Sequence, residues 1–282
     1  MSDEATPYYE DVVDQMTIGL RWLKETLDVV PSVAWHIDPF GHQASSASMF
    51  SKMGFNSFFF ARIDYQDKQL RMSEKKLEMV WRPTTAVEDK SNYIFTHVNY
   101  YHYSPPPGFC FDLVCRDEPI KDDPTLEDYN IQTKSQALVD YFKSQAQHFR
   151  TTNLLHTLGE DFHYANARMW YKNFDKLLKY INSRPEFGVK IQYSTPSLYI
   201  NAIQGEGQTY PGKTDDFFPY ADHQNAYWTG YFTSRVAVKG FVRDFGRWLQ
   251  ATRKYISELK ISDASSVVKD NSKNLETGIW DL

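Results

Sequence analysis

The sequence predicts an α/β fold in which a parallel sheet is covered on both faces, followed by the start of a helical region. Three observations carry this. Short strand-like runs alternate with amphipathic stretches of helical length over residues 1–220, the pattern of βαβ units. The hydrophobic fraction is 41 % over 282 residues, which suits one large core and excludes a disordered chain. After Tyr220 the alternation stops, so residues 221–282 are read as a second, helical part.

The elements follow in order. From Asp11 to Asp28 the residues Val13, Met16, Leu20, Leu23 and Leu27 recur at intervals of three and four, one stripe of a helix that Pro31 ends. SVAWHID reads as a short strand running into Pro39-Phe40-Gly41, with a helix from about Ala44 to Gly54. FNSFFFARID is a fully buried strand, and EMVWRPT, NYIFTHVNYYHY, LLHTLGEDF and KIQYSTP supply further ones. Helices are expected over about 135–148 and 165–181, an amphipathic turn at SLYINAI, and a loop at Pro105-Pro106-Pro107. A long helix is expected from Trp228 to Leu259, with Phe241, Phe245, Trp248 and Leu249 on one side, before the polar run SDASSVVKDNSKN.

Charge and hydropathy exclude several classes of partner. The 31 Lys+Arg and 36 Asp+Glu give a net charge of −5 with basic residues dispersed, which argues against nucleic acid and against a polybasic membrane patch. Mean hydropathy is −0.56, and neither a membrane-spanning run nor a secretory leader is read from the sequence. Aromatic residues reach 16 %, with 19 Tyr, 19 Phe and 7 Trp, many beside acidic residues. That mixture suits a sugar cleft, where rings cover C–H faces and carboxylates bind hydroxyls, or simply an aromatic core. The two cysteines, Cys110 and Cys115, are either a local disulfide in an oxidising compartment or two buried thiols in a reducing one.

Active sites of parallel α/β sheets lie at the carboxyl ends of the strands. Three such ends carry polar residues: His36, Asp38 and His42 in WHIDPFGH; Arg62, Asp64 and Asp67 in ARIDYQDK; Glu160 and Asp161 in LGEDF. Carboxylates on separate strand ends beside an arginine and many rings are what glycoside hydrolysis needs. Each also has a structural reading. Asp38 before Pro39 suits a turn, the histidines suit the core, Asp64 and Asp67 suit a solvated or Lys68- or Arg71-paired loop, and Asp161 suits a helix cap. Tyr103, Tyr227 and Trp228 suit the core equally. Arg62 after a run of phenylalanines is the hardest to dismiss, because a cation there needs an anion.

At WHIDPFGHQAS, and again at MGFNSFFFARIDYQDK, VWRPT, CFDLVC, LGEDFHYANARMWYKNFDKLL, YSTPSLY and DDFFPYADHQNAYWTGYFTSR, the chain resembles the α-mannosidases of glycoside hydrolase family 38, most closely the lysosomal type. The likeness extends over nearly all 282 residues. It implies a barrel-like catalytic domain of the glycoside hydrolase/deacetylase type, followed by the start of a three-helix-bundle middle domain. By the same matching Asp38 is the nucleophile and a zinc ligand, and Asp161 the acid/base. Arg62, Tyr103 and Trp228 bind substrate, and Cys110 and Cys115 form a local disulfide. Zinc would grip vicinal hydroxyls of mannose while Asp38 attacks, with net retention. The implied substrates are mannose-containing oligosaccharides and the implied compartment a lysosome or lysosome-like vacuole. A homo-oligomer is left open for the full-length protein.

The family's His-x-His-x-Asp and His-His-Asp zinc motifs do not occur in this sequence. Of the motif-matched ligands only Asp38 remains, and His36 and His42 do not match ligand positions. The expectation is therefore a segment of a larger α-mannosidase. The alternative is a non-catalytic remnant that binds mannose weakly.

Overall fold

A computed structural model describes residues 1–83 and 90–258. They divide into two compact units, Met1–Pro7 with Met16–Thr229, and Tyr8–Gln15 with the residues from Gly230 onward. The helix α1 (Tyr9–Leu27) contributes its first turns to the second unit and the rest to the first.

The first unit is built on five strands: β1 (Val33–His36), β2 (Ser57–Phe60), β3 (Glu78–Trp81), β4 (Ile94–Val98) and β5 (Gly212–Lys213). Their order is β1-β2-β4-β3-β5. β1 with β2, β2 with β4 and β3 with β5 run parallel, and β3 is antiparallel to β4. The sheet is thus parallel-dominated but mixed, which corrects the all-parallel expectation. The reason lies in the link from Trp81 to Ile94, whose described residues hold only the 3-10 turn Lys90–Asn92 and no crossover helix of the kind a parallel neighbour needs.

β2 shows why this sequence makes a central strand. All four residues of SFFF are fully buried. Phe58 and Phe60 pack on one face with Ala47 and Phe50 of α2 (Ala44–Lys52), while Phe59 packs on the other with Tyr199, Ile200 and Ile203 of α6 (Pro196–Gln204). The strand period of two sends alternate rings to opposite layers. A third cluster joins α4 (Ile131–Ala146) and α5 (Ala167–Asn182) through Leu138, Val139, Trp170, Phe174, Leu177 and Ile181. Spacings of three and four on α5 give it one continuous apolar stripe.

Several expectations need correction. LLHTLGEDF and KIQYSTP run without strand pairing among the described residues. Side chains take up backbone groups that a neighbouring strand would otherwise bond. Gln145 donates to the Leu155 carbonyl at 2.8 Å, and Asn182 both accepts from the Ile191 amide at 2.9 Å and donates to its carbonyl at 2.7 Å. YQDKQLRMS, read as a loop, is the helix α3 (Tyr65–Ser73), and SLYINAI is not a mere turn but part of α6, whose Thr195 cap accepts from the Leu198 amide at 3.3 Å.

In the second unit the expected helix begins later than Trp228. A 3-10 turn at Gly230–Phe232 precedes α7 (Val236–Glu258). Phe241, Phe245 and Trp248 are exposed rather than packed, at 69, 47 and 74 %. Asp14 accepts from Arg253 at 2.5 Å and from Gln250 at 3.4 Å. Leu259, SDASSVVKDNSKN and the rest of the tail lie outside the described residues.

Candidate active site

The chain leaves β1 at His36, reaches Asp38, and turns at Pro39-Phe40-Gly41. Gly41 has φ +103°, and a Cβ there would meet the Phe218 ring and lie 2.9 Å from the Phe217 carbonyl, so only glycine fits. The turn is pinned where His42 and Phe217 exchange backbone hydrogen bonds of 3.1 and 2.8 Å.

Arg62 follows β2 and turns its guanidinium to Asp38. Nε donates to Oδ1 at 2.7 Å, and Nη2 lies 2.6 Å from the same oxygen. Three rings surround the cation: Trp228 at 4.7 Å, Phe40 at 5.1 Å and Tyr220 at 5.7 Å from its central carbon. Nη1 also donates to the Tyr220 hydroxyl at 3.3 Å. Burial works against this charge, but the hydrogen bonds to Tyr220 and Asp38 prevail and hold the Arg62 pKa above its ordinary value. Aromatic faces and one carboxylate together justify a cation beside a phenylalanine strand.

Tyr103 joins the two carboxylates. Its hydroxyl lies 3.3 Å from Asp38 Oδ1 and 3.2 Å from Asp161 Oδ1. Burial first, and then the two carboxylates, push its phenol up to about 12. Asp161 belongs to the segment after Gly159, where Phe162 and Tyr164 both have positive φ, 65° and 66°. It caps no helix, since α5 starts after Asn166. Glu160 is turned to the Ser104 hydroxyl instead. A cleft of about 930 Å³ opens in front of Asp38, Tyr103 and Asp161, with Trp35, His156 and Tyr193 among its walls. Arg62 and Trp228 stand beside Asp38 without lining that cleft.

The remaining sequence candidates are placed elsewhere. Asp64 is the cap of α3, accepting from the Gln66 and Asp67 amides at 2.9 and 3.3 Å, and Asp67 pairs with Arg71 at 2.9 Å. His36 and His42 both face the buried carboxylate of Glu4 rather than Asp38. Tyr227 is exposed at 60 %, not core. Cys110 and Cys115 form a disulfide with Cα atoms 5.8 Å apart, and His163 Nε2 approaches both sulfurs at 4.0 and 3.9 Å.

Four residues near the site escaped the sequence reading. Phe40 and Tyr220 complete the rings around Arg62, and the need of a half-buried cation for ring faces was the signal. His102 has φ +52° and its ring lies 4.1 Å from that of Tyr103. Burial, followed by the charges of Arg62 and Lys68, lowers its pKa to about 4, so it is neutral near neutrality. Burial alone lowers Lys68 to about 8. No sequence pattern marks either of them.

The zinc implied by the resemblance can be tested against the donors present. Asp38 Oδ1 is already engaged by Arg62 and Tyr103. Among the described residues, the two groups of three His, Cys, Asp or Glu side chains close enough to share an ion are Glu4–His36–His42 and Cys110–Cys115–His163. Neither contains Asp38. One carboxylate is not a zinc site, so the donors in hand do not fit the metal.

The chain is similar to proteins of known name. The lysosomal alpha-mannosidase of Dictyostelium discoideum is 47 % identical over 244 residues, covering 86 % of this chain and 24 % of that protein. Its counterpart in Homo sapiens is 45 % identical over 258 residues, covering 89 % and 25 %, and an alpha-mannosidase of Arabidopsis thaliana is 44 % identical, covering 96 % and 26 %. The chain therefore spans about a quarter of the length of these relatives. The crystal structure of an alpha-mannosidase from Enterococcus faecalis V583 shares the fold at a TM-score of 0.54 and 18 % identity, over 77 % of this chain and 21 % of that one. The family model for the glycosyl hydrolases family 38 N-terminal domain matches residues 1–223. On that match, spanning the strands, Asp38, Arg62, Tyr103 and Asp161, the chain belongs to glycosyl hydrolase family 38.

Proposed function

We propose that this cleft carries the catalytic carboxylates of a retaining α-mannosidase that releases terminal α-linked mannose from oligosaccharides such as N-glycans. The observation that carries the reading is the Tyr103 hydroxyl between Asp38 and Asp161. It keeps the near oxygens of the two carboxylates no more than about 6.5 Å apart, no farther than the shortest separations of inverting glycosidases. A phenol has one proton for two carboxylates. A proton on Asp161 satisfies all three groups: Asp161 donates to Tyr103, and Tyr103 donates to Asp38.

The steps follow. Both described partners of Asp38 use Oδ1, which leaves Oδ2 to attack the anomeric carbon. The glycosidic C–O bond breaks as Asp161 gives its proton to the leaving oxygen, and a mannosyl ester of Asp38 forms. Asp161, now a base, takes a proton from water whose oxygen attacks the same carbon and releases Asp38. Arg62 orients the nucleophile throughout, and Trp228 with Phe40 and Tyr220 orients Arg62.

Zinc is proposed as a cofactor whose other ligands come from outside the donors around Asp38, and none of these steps passes through it. A lysosomal or vacuolar compartment accords with the names of the relatives and with the Cys110–Cys115 disulfide. A barrel-like closure of the sheet would use the free edge of β1 and the unpaired runs 153–160 and 190–194, and the residues from Gly230 onward would begin a helical middle domain. A second reading, a weak mannose binder without catalysis, is favoured because neither metal-holding group found among the described residues includes Asp38.

The deciding experiment measures zinc content and p-nitrophenyl α-mannoside hydrolysis, with added zinc and with an Asp38→Asn control. Turnover that vanishes in the control supports the enzyme. Saturable mannose binding with no turnover supports the second reading.

A further inference from the structure

Glu4 is fully enclosed, at 2 % exposure, and spends every oxygen on one short stretch of chain. Its Oε1 lies 2.8 Å from His36 Nδ1 and 2.7 Å from His42 Nδ1, while Oε2 accepts from the Gln43 amide at 2.9 Å. His36 is the last residue of β1, and Gln43 caps α2. One carboxylate 32 to 39 residues distant in sequence thus fastens both ends of the turn that holds Asp38.

The surroundings favour a rigid fastening. The His42 ring stacks on Phe60 at 3.9 Å, and the His36 ring meets Phe50 and Phe58 edge-on at 5.1 and 5.5 Å. For both contacts to be hydrogen bonds each histidine carries its proton on Nδ1. His42 Nε2 is then left buried without a partner, which is tolerable only if the ring gains from its other edge. In a dry aromatic compartment such bonds strengthen, since water does not compete for them.

We propose that Glu4 is a positioning residue, a clamp that sets the direction in which Asp38 leaves β1. The proposal rests on the reading of Asp38 as nucleophile. Arg62 holds the carboxylate directly, whereas Glu4 holds the His36 ring before it and the His42 ring and Gln43 amide after it. The triad also offers two ring nitrogens and a carboxylate oxygen, the makings of a cation site. Its separations favour the clamp: 2.7 and 2.8 Å between donor and acceptor are hydrogen-bond distances, and Oε2 is committed to an amide.

The test compares the intact polypeptide with Glu4→Gln and Glu4→Asp. Covalent labelling of Asp38 by a 5-fluoro-mannosyl fluoride is followed by mass spectrometry, and the Nδ1–H signals of His36 and His42 by ¹⁵N NMR. In Glu4→Gln we expect both Nδ1–H signals to move or vanish. Labelling should slow by about 10- to 100-fold, with half-saturation changed less than about threefold, and Glu4→Asp should recover part of the rate. Should Glu4→Gln not fold, His36→Gln removes one arm only and should slow labelling by a smaller factor. A folded variant that labels at the unmodified rate overturns the clamp. So does one equivalent of zinc bound by the unmodified chain and lost in Glu4→Gln, which would make the triad a metal site. Failure of the unmodified chain to label at Asp38 is a different result, since it removes the nucleophile reading and with it any catalytic role for Glu4.

Discussion

Trp170 donates its indole N–H to Asp112 Oδ2 at 2.6 Å, and the Tyr164 amide donates to the same oxygen at 2.8 Å. Asp112 lies between the two cysteines, and Tyr164 lies three residues beyond Asp161. One buried oxygen therefore ties the disulfide loop, the first turn of α5 and the segment bearing the proposed acid. Replacing Asp112 by Asn keeps an oxygen for both donors but removes the charge that strengthens both bonds. The expected cost is about 1–3 kcal/mol in urea unfolding, with turnover of poor leaving groups falling more than turnover of activated ones.

The disulfide spans five positions, a loop whose closure entropy is worth about 2 kcal/mol. The double variant Cys110→Ser/Cys115→Ser should lose about that much stability while its far-ultraviolet circular dichroism is retained. A loss near zero would show that the hydrogen bonds of Asp112 and Asp117 order the loop without the disulfide.

Asp38→Asn and Asp161→Asn should fail in different ways. The first removes the charge proposed to attack and should abolish turnover of every mannoside while the chain stays folded. The second should slow alkyl mannosides and oligosaccharides by orders of magnitude, yet an activated aryl mannoside far less, because only poor leaving groups need the proton. Equal losses for both substrate types in Asp161→Asn would count against the acid role.

Arg62→Lys keeps the charge and discards the planar group that lies among three rings. Guanidinium and ammonium are not equivalent at such a site. We expect kcat to fall by about 10-fold or more with a smaller change in KM, and a Trp228→Ala variant to lose less than Arg62→Lys.

Two pH effects on stability are expected, both destabilising on acidification but in different windows. Burial raises the Glu4 carboxyl, but His42 and His36 outweigh it and bring it down to about 2 from 4.5. Its contribution is thus fully present above about pH 4.5 and is lost as pH falls toward 2, a change of roughly 3 kcal/mol. His102 and His156 act in the same direction at higher pH. Burial lowers both from 6.5 to about 4, so the unfolded chain takes up protons first and stability declines as pH falls from 6.5 to 4. Urea titrations of Glu4→Gln and His102→Gln across pH 2–8 should each flatten one of these windows.

The parts of this fold that could be read from sequence are those governed by local pattern. FNSFFFARID announces a buried strand because four consecutive apolar residues have nowhere else to go, and α5 announces itself by its stripe. WHIDPFGH, ARID and LGEDF point to the candidate site because their charges sit beside rings. The helix α3 was hidden, since none of its residues is fully buried and no apolar stripe exists. Its stability comes from the Asp64 cap and the Asp67–Arg71 pair. The unpaired runs at 153–160 and 190–194 were hidden for a related reason. An apolar alternation shows that a segment is extended, not whether its bonds go to a strand or to the amides of Gln145 and Asn182. Glu4 was hidden too, because a lone acid near the start of a chain gives no hint of two histidines more than thirty residues away.

The antiparallel placement of β3 has a use in the laboratory. Its partners in register are Trp81 with Ile94 and Glu78 with His97, so the link from Trp81 to Ile94 leaves the sheet at the end remote from His36, Phe60 and Val98. A strand of this length puts on the order of 15 Å between the two ends. An affinity handle or immobilisation tether spliced into that link would hold the sheet by that end, with the end that carries Asp38 and Arg62 turned toward the analyte stream.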